Sequence, residues 1–169
     1  LSAACAVTET VIPEREPHPG LFDATAALFA ALTHGDQEIW PAVYIQWEMG
    51  LLAELGFGLD LQACAATGMT TELVYVSPKT GRAVSREAGA PYAERMLALP
   101  RFLQPDGRGH GATAEDFTAG LRLTGHFLAR HAFDPLDRPL PPARTRLESL
   151  VSRKLDTAKD GDEKDTPVS

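Results

Sequence analysis

Apolar residues recur at helical spacing through most of the chain, and the longest such run is WPAVYIQWEMGLLAELGFG at 40–58. Trp40, Tyr44, Trp47, Leu51 and Leu55 form one stripe there, and Val43 and Leu52 widen it. Its polar residues are few: Gln46, Glu48 and Glu54. A helix apolar over so much of its circumference predicts burial on several sides, so this is the core helix. Pro41 fits the first turn, Asp36 can cap the start, and Gly56 with Gly58 supplies a left-handed stop. Upstream, a helix ends at Ile12 before Pro13, and prolines punctuate a turn over 13–20. A second helix spans 21–33, with Leu21, Leu28, Phe29 and Leu32 on one face and His34-Gly35 as its end.

From Leu59 the period changes. Leu73-Val74-Tyr75-Val76 reads as a strand, Ser77 to Gly81 as a turn, and Arg82 to Ser85 as the return strand. Two strands alone are marginal in water, so this hairpin must lean on the helices. Pro91 opens a short helix through Leu99, and a Gly-rich loop follows over 104–112. Thr113 to Phe133 is the second long helix, capped by Thr113 with Asp116, and its stripe is Phe117, Leu121, Leu123, Phe127 and Leu128. A last helix spans 143–154. The expected fold is mainly α: a helical bundle over 1–155 with a hairpin inserted at 59–90, then a disordered acidic tail at 156–169.

Composition adds limits. With 169 residues, 44% of them hydrophobic, the chain can build one core of moderate size. Its two cysteines, Cys5 and Cys64, form neither a disulfide framework nor a CxxC pair, which suits a reducing compartment. The apolar start lacks a basic n-region and is no signal peptide, and no run approaches the length of a membrane span. The chain opens on Leu, which points to a fragment or a processed chain. The net charge of −7 is uneven: −7 over 1–84, +3 over 85–155 and −3 over 156–169. That balance argues against a dedicated high-affinity nucleic-acid binder and leaves weaker or assisted binding to the basic half.

Candidate chemistry is sparse. The 5 histidines are scattered without a ligand pair, there is no G-x-S-x-G, and the Gly-rich 107–111 loop lacks the Lys-Ser/Thr of a P-loop. No enzyme is indicated. The basic set is richer: Arg95, Arg101, Arg122, Arg130, Arg138, Arg144 and Arg146 offer guanidinium forks suited to phosphates. Arg144 and Arg146 sit at a helix start, where the dipole favours acids, which hints at an anionic partner. The plainer reading is a solvated face paired with Asp134, Asp137 and Glu148. Cys64, without partner ligands, reads as a small buried apolar residue.

Three segments in order, ELGFGLDLQACAATG, VYVSPKTGRAVS with AGAPY, and HFLARHAFDPLDRPLPPARTRL, resemble RecO, the bacterial recombination mediator. The likeness covers residues 1–151, the part that follows the N-terminal OB-fold in that family. It implies a cytoplasmic, nucleoid-associated DNA-repair role without bond chemistry. The implied partners are single-stranded DNA, the single-stranded-DNA-binding protein SSB and RecR, with strand annealing and RecA loading as the outcome. Zinc-bearing members carry two CxxC pairs in the inserted loop. Here only Cys64 remains, Thr67 takes the second position, and Val84 and Glu87 fall near the other pair. The resemblance therefore implies no zinc and a loop held by packing of Leu73, Tyr75 and Val84. The acidic, Phe-terminated SSB tail needs an apolar pocket and a cation. Trp47, Leu51 and Leu55 are the candidate walls, with Arg122 or Arg130 as the cation. The competing reading is a helical protein–protein interaction domain without direct nucleic-acid binding.

Overall fold

The computed structural model describes residues 1–13, 15, 17–33, 39–107 and 112–162, with 154–162 described by backbone alone. The Asp36 cap, the His34-Gly35 stop, most of the Gly-rich loop at 107–111 and the end of the acidic tail lie outside the described residues.

The core helix forms as its pattern predicts, as α3 (Trp40–Glu54), following α1 (Ser2–Val11) and α2 (Pro19–Thr33). Its end is a glycine cap. Gly56 takes φ +86, its N–H donates to Ala53 O at 3.0 Å, and Phe57 N–H donates to Leu52 O at 2.7 Å. This pair of bonds satisfies two carbonyls the last turn would leave open, and it aims Phe57 away from the helix axis. α3 packs on α2 and on α5 (Ala114–Leu128), while α6 (Pro142–Asp162) packs on α5 and α1. Tyr44, Ile45, Trp47, Leu51 and Leu52 are buried. Full burial of each such side chain contributes roughly 1.5–3 kcal/mol. Gly120 on α5 lets that helix approach, since a Cβ there would stand 2.7 Å from Ile45 Cδ1. On α2, Leu21 and Leu28 are buried as expected, but Phe29 is exposed.

The inserted hairpin is β1 (Leu73–Val76) with β2 (Ala83–Ser85), Val76 opposite Ala83. A third strand completes the sheet. The expected helix over Pro91–Leu99 is instead a 3-10 turn at Ala90–Arg95 followed by β3 (Leu97–Ala98), which pairs with the open edge of β1. A two-stranded ribbon leaves that edge unsatisfied, so an adjoining extended segment gains more from pairing than from helix. A short helix, α4 (Arg86–Gly89), follows β2 and lies against the sheet, where Gly89 leaves room for the Tyr75 ring.

α5 begins with the predicted Thr113–Asp116 capping box. It stops four-residue periodicity at Leu128 and continues as one π-helical turn, Ala129–Phe133, where the sequence suggests unbroken α-helix. α6 runs to Asp162, beyond the expected end at Lys154 and into the segment expected to be disordered. No proline or glycine lies between Pro142 and Gly161 to break its ladder. Among the described residues, no helix is long and apolar enough to cross a membrane.

Candidate nucleic-acid and partner-binding surfaces

The arginines singled out by sequence do not form one patch. Arg144 is a correction: its side chain is fully buried, so it offers no surface to a phosphate. Arg144 Nε donates to Glu48 Oε1 at 2.5 Å, Nη2 to Glu48 Oε2 at 3.0 Å, Nη2 to Leu121 O at 2.6 Å and Nη1 to Glu148 Oε2 at 3.3 Å. The Thr124 hydroxyl donates to Glu48 Oε2 at 2.5 Å. A carboxylate taken from water is tolerable only when its lone pairs are met in this way. Burial pulls the Arg144 pKa down, and the adjoining Glu48 charge more than reverses it, so the guanidinium stays charged. Burial first, and then the Glu48 charge, keep the Tyr44 phenol protonated. The cluster thus ties α3, α5 and α6 together. Glu48, a lone carboxylate beside an apolar stripe, was its signal in the sequence.

The other arginines are exposed. Arg101 fronts a cleft that Glu72, Asp106 and Asp116 also line, and its backbone N–H donates to Asp116 Oδ1 at 2.9 Å. Arg86 lines it too, paired with Glu72 at 3.0 Å, so the cleft carries two guanidiniums against three carboxylates. Arg95 ends the 3-10 turn before β3, and Arg138 follows Asp137, whose backbone is left-handed at φ 54. Arg122 and Arg130 share the α5 side with His126. Arg130 Nη1 donates to Pro78 O at 2.9 Å. His126 Nε2 lies 3.1 Å from the same oxygen, which can only accept, so the proton sits on Nε2.

The suggested pocket walls are also corrected. Trp47 and Leu51 are sealed inside, and the Trp47 indole N–H donates to Thr25 Oγ1 at 2.9 Å. Leu55 is half-buried against the core. An apolar groove of about 370 Å³ opens nearer the start of the helix instead, between α1, α2, α3 and α6. Leu28, Leu32, Trp40, Leu147 and Leu150 line it, with Arg146 among the lining residues. The cation beside this groove is therefore Arg146, and Arg122 and Arg130 lie elsewhere.

The Cys64 turn is closed by hydrogen bonds. Cys64 N–H donates to Met69 O at 2.7 Å, and Gly68, at φ 75, donates to Cys64 O at 2.9 Å. The sulfur lies 3.4 Å from Ser85 Oγ and accepts Ser85 N–H at 3.2 Å. Burial pushes the thiol pKa up, but the hydroxyls of Ser85 and Thr67 and two backbone N–H groups bring it down to about 6. A structural zinc needs four thiolate or imidazole ligands. This turn presents one thiol and hydroxyls, which do not fit that metal. Ser85, at the second leg of the hairpin, is the residue that faces Cys64. Val84 is buried in the core and Glu87 is exposed on α4, so neither takes that place. Among the described residues, no group of three or more His, Cys, Asp or Glu could hold a metal ion.

Residues 1–139 match the family model for the recombination protein O C terminal. The chain is 62% identical over 152 residues to a DNA repair protein RecO of Phenylobacterium zucineum, covering 90% of this chain and 61% of that protein. Against the DNA repair protein RecO of Caulobacter vibrioides it is 59% identical over 145 residues, 85% of this chain and 58% of the relative. Against that of Rhodospirillum centenum it is 57% identical over 148 residues, 86% and 57% of the two chains. The chain thus spans about three-fifths of the length of these relatives. No solved structure gives a significant match. With its helical body, inserted sheet and hydrogen-bonded Cys64 turn all within or next to the matched segment, the chain belongs to the RecO family, in the family's C-terminal region.

Proposed function

We propose that the chain is the helical, partner-docking part of a recombination mediator in DNA repair. It performs no bond chemistry. It binds the SSB tail, RecR and single-stranded DNA, and so promotes strand annealing and RecA loading. Family membership supports the repair role, and one geometric observation carries the docking role: the open groove lined by Leu28, Leu32, Trp40, Leu147 and Leu150 with Arg146 beside it. An acidic peptide ending in Phe needs an apolar cavity for the ring and a guanidinium for its carboxylates. The groove has both.

Titration of a labelled SSB tail peptide tests this. A charge-assisted hydrogen bond contributes about 1.5–3 kcal/mol, so Arg146→Glu should weaken the peptide roughly tenfold or more. A peptide lacking its terminal Phe should not bind. If Arg146→Glu binds as the parent does, the groove is not the site.

The second reading, an interaction domain without nucleic-acid contact, draws on the internalised Arg144 and the carboxylates around Arg101. Salt-dependent binding of a labelled single-stranded oligonucleotide separates the two, because phosphate contacts release counterions and solely protein contacts do not.

A further inference from the structure

Phe57 is the one aromatic residue that the α3 glycine cap turns outward, and it is 40% exposed. Its ring lies parallel to the His131 imidazole, with centroids 4.6 Å apart and planes 12° apart. His131 is in turn parallel to buried Phe127, at 6.1 Å and 4°. The π-helical turn Ala129–Phe133 carries His131, and such turns displace side chains from the faces a regular helix would give them. With one face covered by His131, Phe57 still keeps two-fifths of its surface open to water. An aromatic plane open to water on one side, backed by a fixed stack, is a surface on which another flat ring can settle.

The elements that hold this stack also carry cations. Arg130 adjoins His131 in the chain, and its guanidinium is anchored on Pro78 O. That bond and the one from His126 seat the turn Ser77–Gly81 on the end of α5. Gly81 makes the seating close: at φ +69, a Cβ there would stand 2.9 Å from Leu59 and 3.6 Å from Phe127. Lys79 is exposed at the tip of this turn, and exposed Arg122 lies one helical turn before His126. Among the described residues no acid pairs with Lys79, Arg122 or Arg130. Asp60, hydrogen-bonded to Gly81 through its backbone, is engaged by Arg82 at 3.2 Å.

We infer that Phe57, backed by His131, is a stacking platform for a nucleobase of single-stranded nucleic acid, with the exposed Lys79, Arg122 and Arg130 of the adjoining turn and helix available to its phosphates. Any base can use it, because every base has a π face, while the three cations serve the phosphates. Arg130 and Lys79 are phosphate contacts, and His131 is a positioning residue that fixes the Phe57 plane. This rests on the single-stranded-DNA reading above and names the place where that contact is made.

The test uses the full chain, an oligodeoxynucleotide carrying 5-iodouracil, and mass spectrometry of the photo-cross-linked peptide. A cross-link at Phe57 or His131 is expected. In titrations, Phe57→Leu, which keeps the apolar contact and removes the ring, should bind about fivefold or more weakly, with Phe57→Trp restoring affinity. The Phe57→Leu melting temperature, measured alongside, shows whether the fold is intact. Salt-sensitive binding with no cross-link there and an unchanged Phe57→Leu affinity overturns the platform and leaves the DNA reading standing. Absence of any salt-sensitive binding by the parent chain overturns both.

Discussion

Arg144 and Arg146 stand two residues apart on one helix, roughly 200° around its circumference, and the protein treats them oppositely. Arg144 turns inward and is enclosed by Glu48, Thr124, Glu148 and the Leu121 carbonyl. Arg146 turns toward an open apolar groove. The residue type, the flanking prolines and the helix-start position are shared. What differs is the surface each meets: a carboxylate on α3 in one case, and leucines with water in the other. A guanidinium inside is structural because every contact it makes is already taken. One at a rim keeps its donors for a partner.

The largest effect should come from opening the inner cluster. Arg144→Ala leaves the Glu48 carboxyl in the interior without its guanidinium partner and should cost about 3–5 kcal/mol in urea unfolding. The double change Glu48→Met with Arg144→Met should recover most of that loss, because apolar side chains of similar volume replace the pair. A loss below about 1 kcal/mol for Arg144→Ala would show that the pair is far more hydrated than its burial implies.

Next comes the contrast between a sealed and an open leucine. Leu51→Ala, inside, should cost about 2–5 kcal/mol through lost transfer energy and the cavity left behind. Leu150→Ala, at the groove and 50% exposed, should stay within about 0.5 kcal/mol yet weaken the SSB tail peptide. Equal stability losses at the two positions would erase the distinction.

A third test reads pH. The Cys64 thiol is held near 6 against an ordinary 9.0, chiefly by the Ser85 hydroxyl once burial is overcome. Its depressed value contributes stability that is full above 9.0 and is lost as pH falls through 6. Burial, followed by Arg130 and His126, lowers the His131 pKa, so acidification below its usual 6.5 costs further stability. The melting temperature should therefore fall from pH 9 to pH 5, and Cys64→Ser should flatten the upper part of that fall. A Cys64→Ser profile parallel to the parent would remove the thiol from the account. The smallest effect belongs to Arg146→Glu, whose stability should match the parent within about 0.5 kcal/mol while peptide binding drops.

Much of the fold was legible because it depends on local pattern. The α3 stripe with its Gly56 stop, the Thr113–Asp116 capping box and the Leu73–Ser85 hairpin are each written in residues a few positions apart. The third strand at Leu97–Ala98 was not legible, since its reason for being extended is the free edge of β1, more than twenty residues earlier. The π-helical turn escaped for a related reason: nothing in FLARHAF distinguishes a wide turn from a regular one. For the candidate surfaces, pattern alone did not tell interior residues from exterior ones. Trp47 and Leu51 proved to be interior, and Trp40 with Leu147 and Leu150 faces the groove.

By itself, then, the sequence determined the helical body, the inserted hairpin and the family to which the chain belongs, because periodicity, caps and motifs are properties of neighbouring residues. Only the tertiary structure decided that Arg144 is a buried partner of Glu48, that Ser85 answers Cys64, and that Phe57 stacks on His131. Each of those pairs joins residues far apart in the chain, and the charge, burial or exposed face that gives them meaning exists only once the helices have packed.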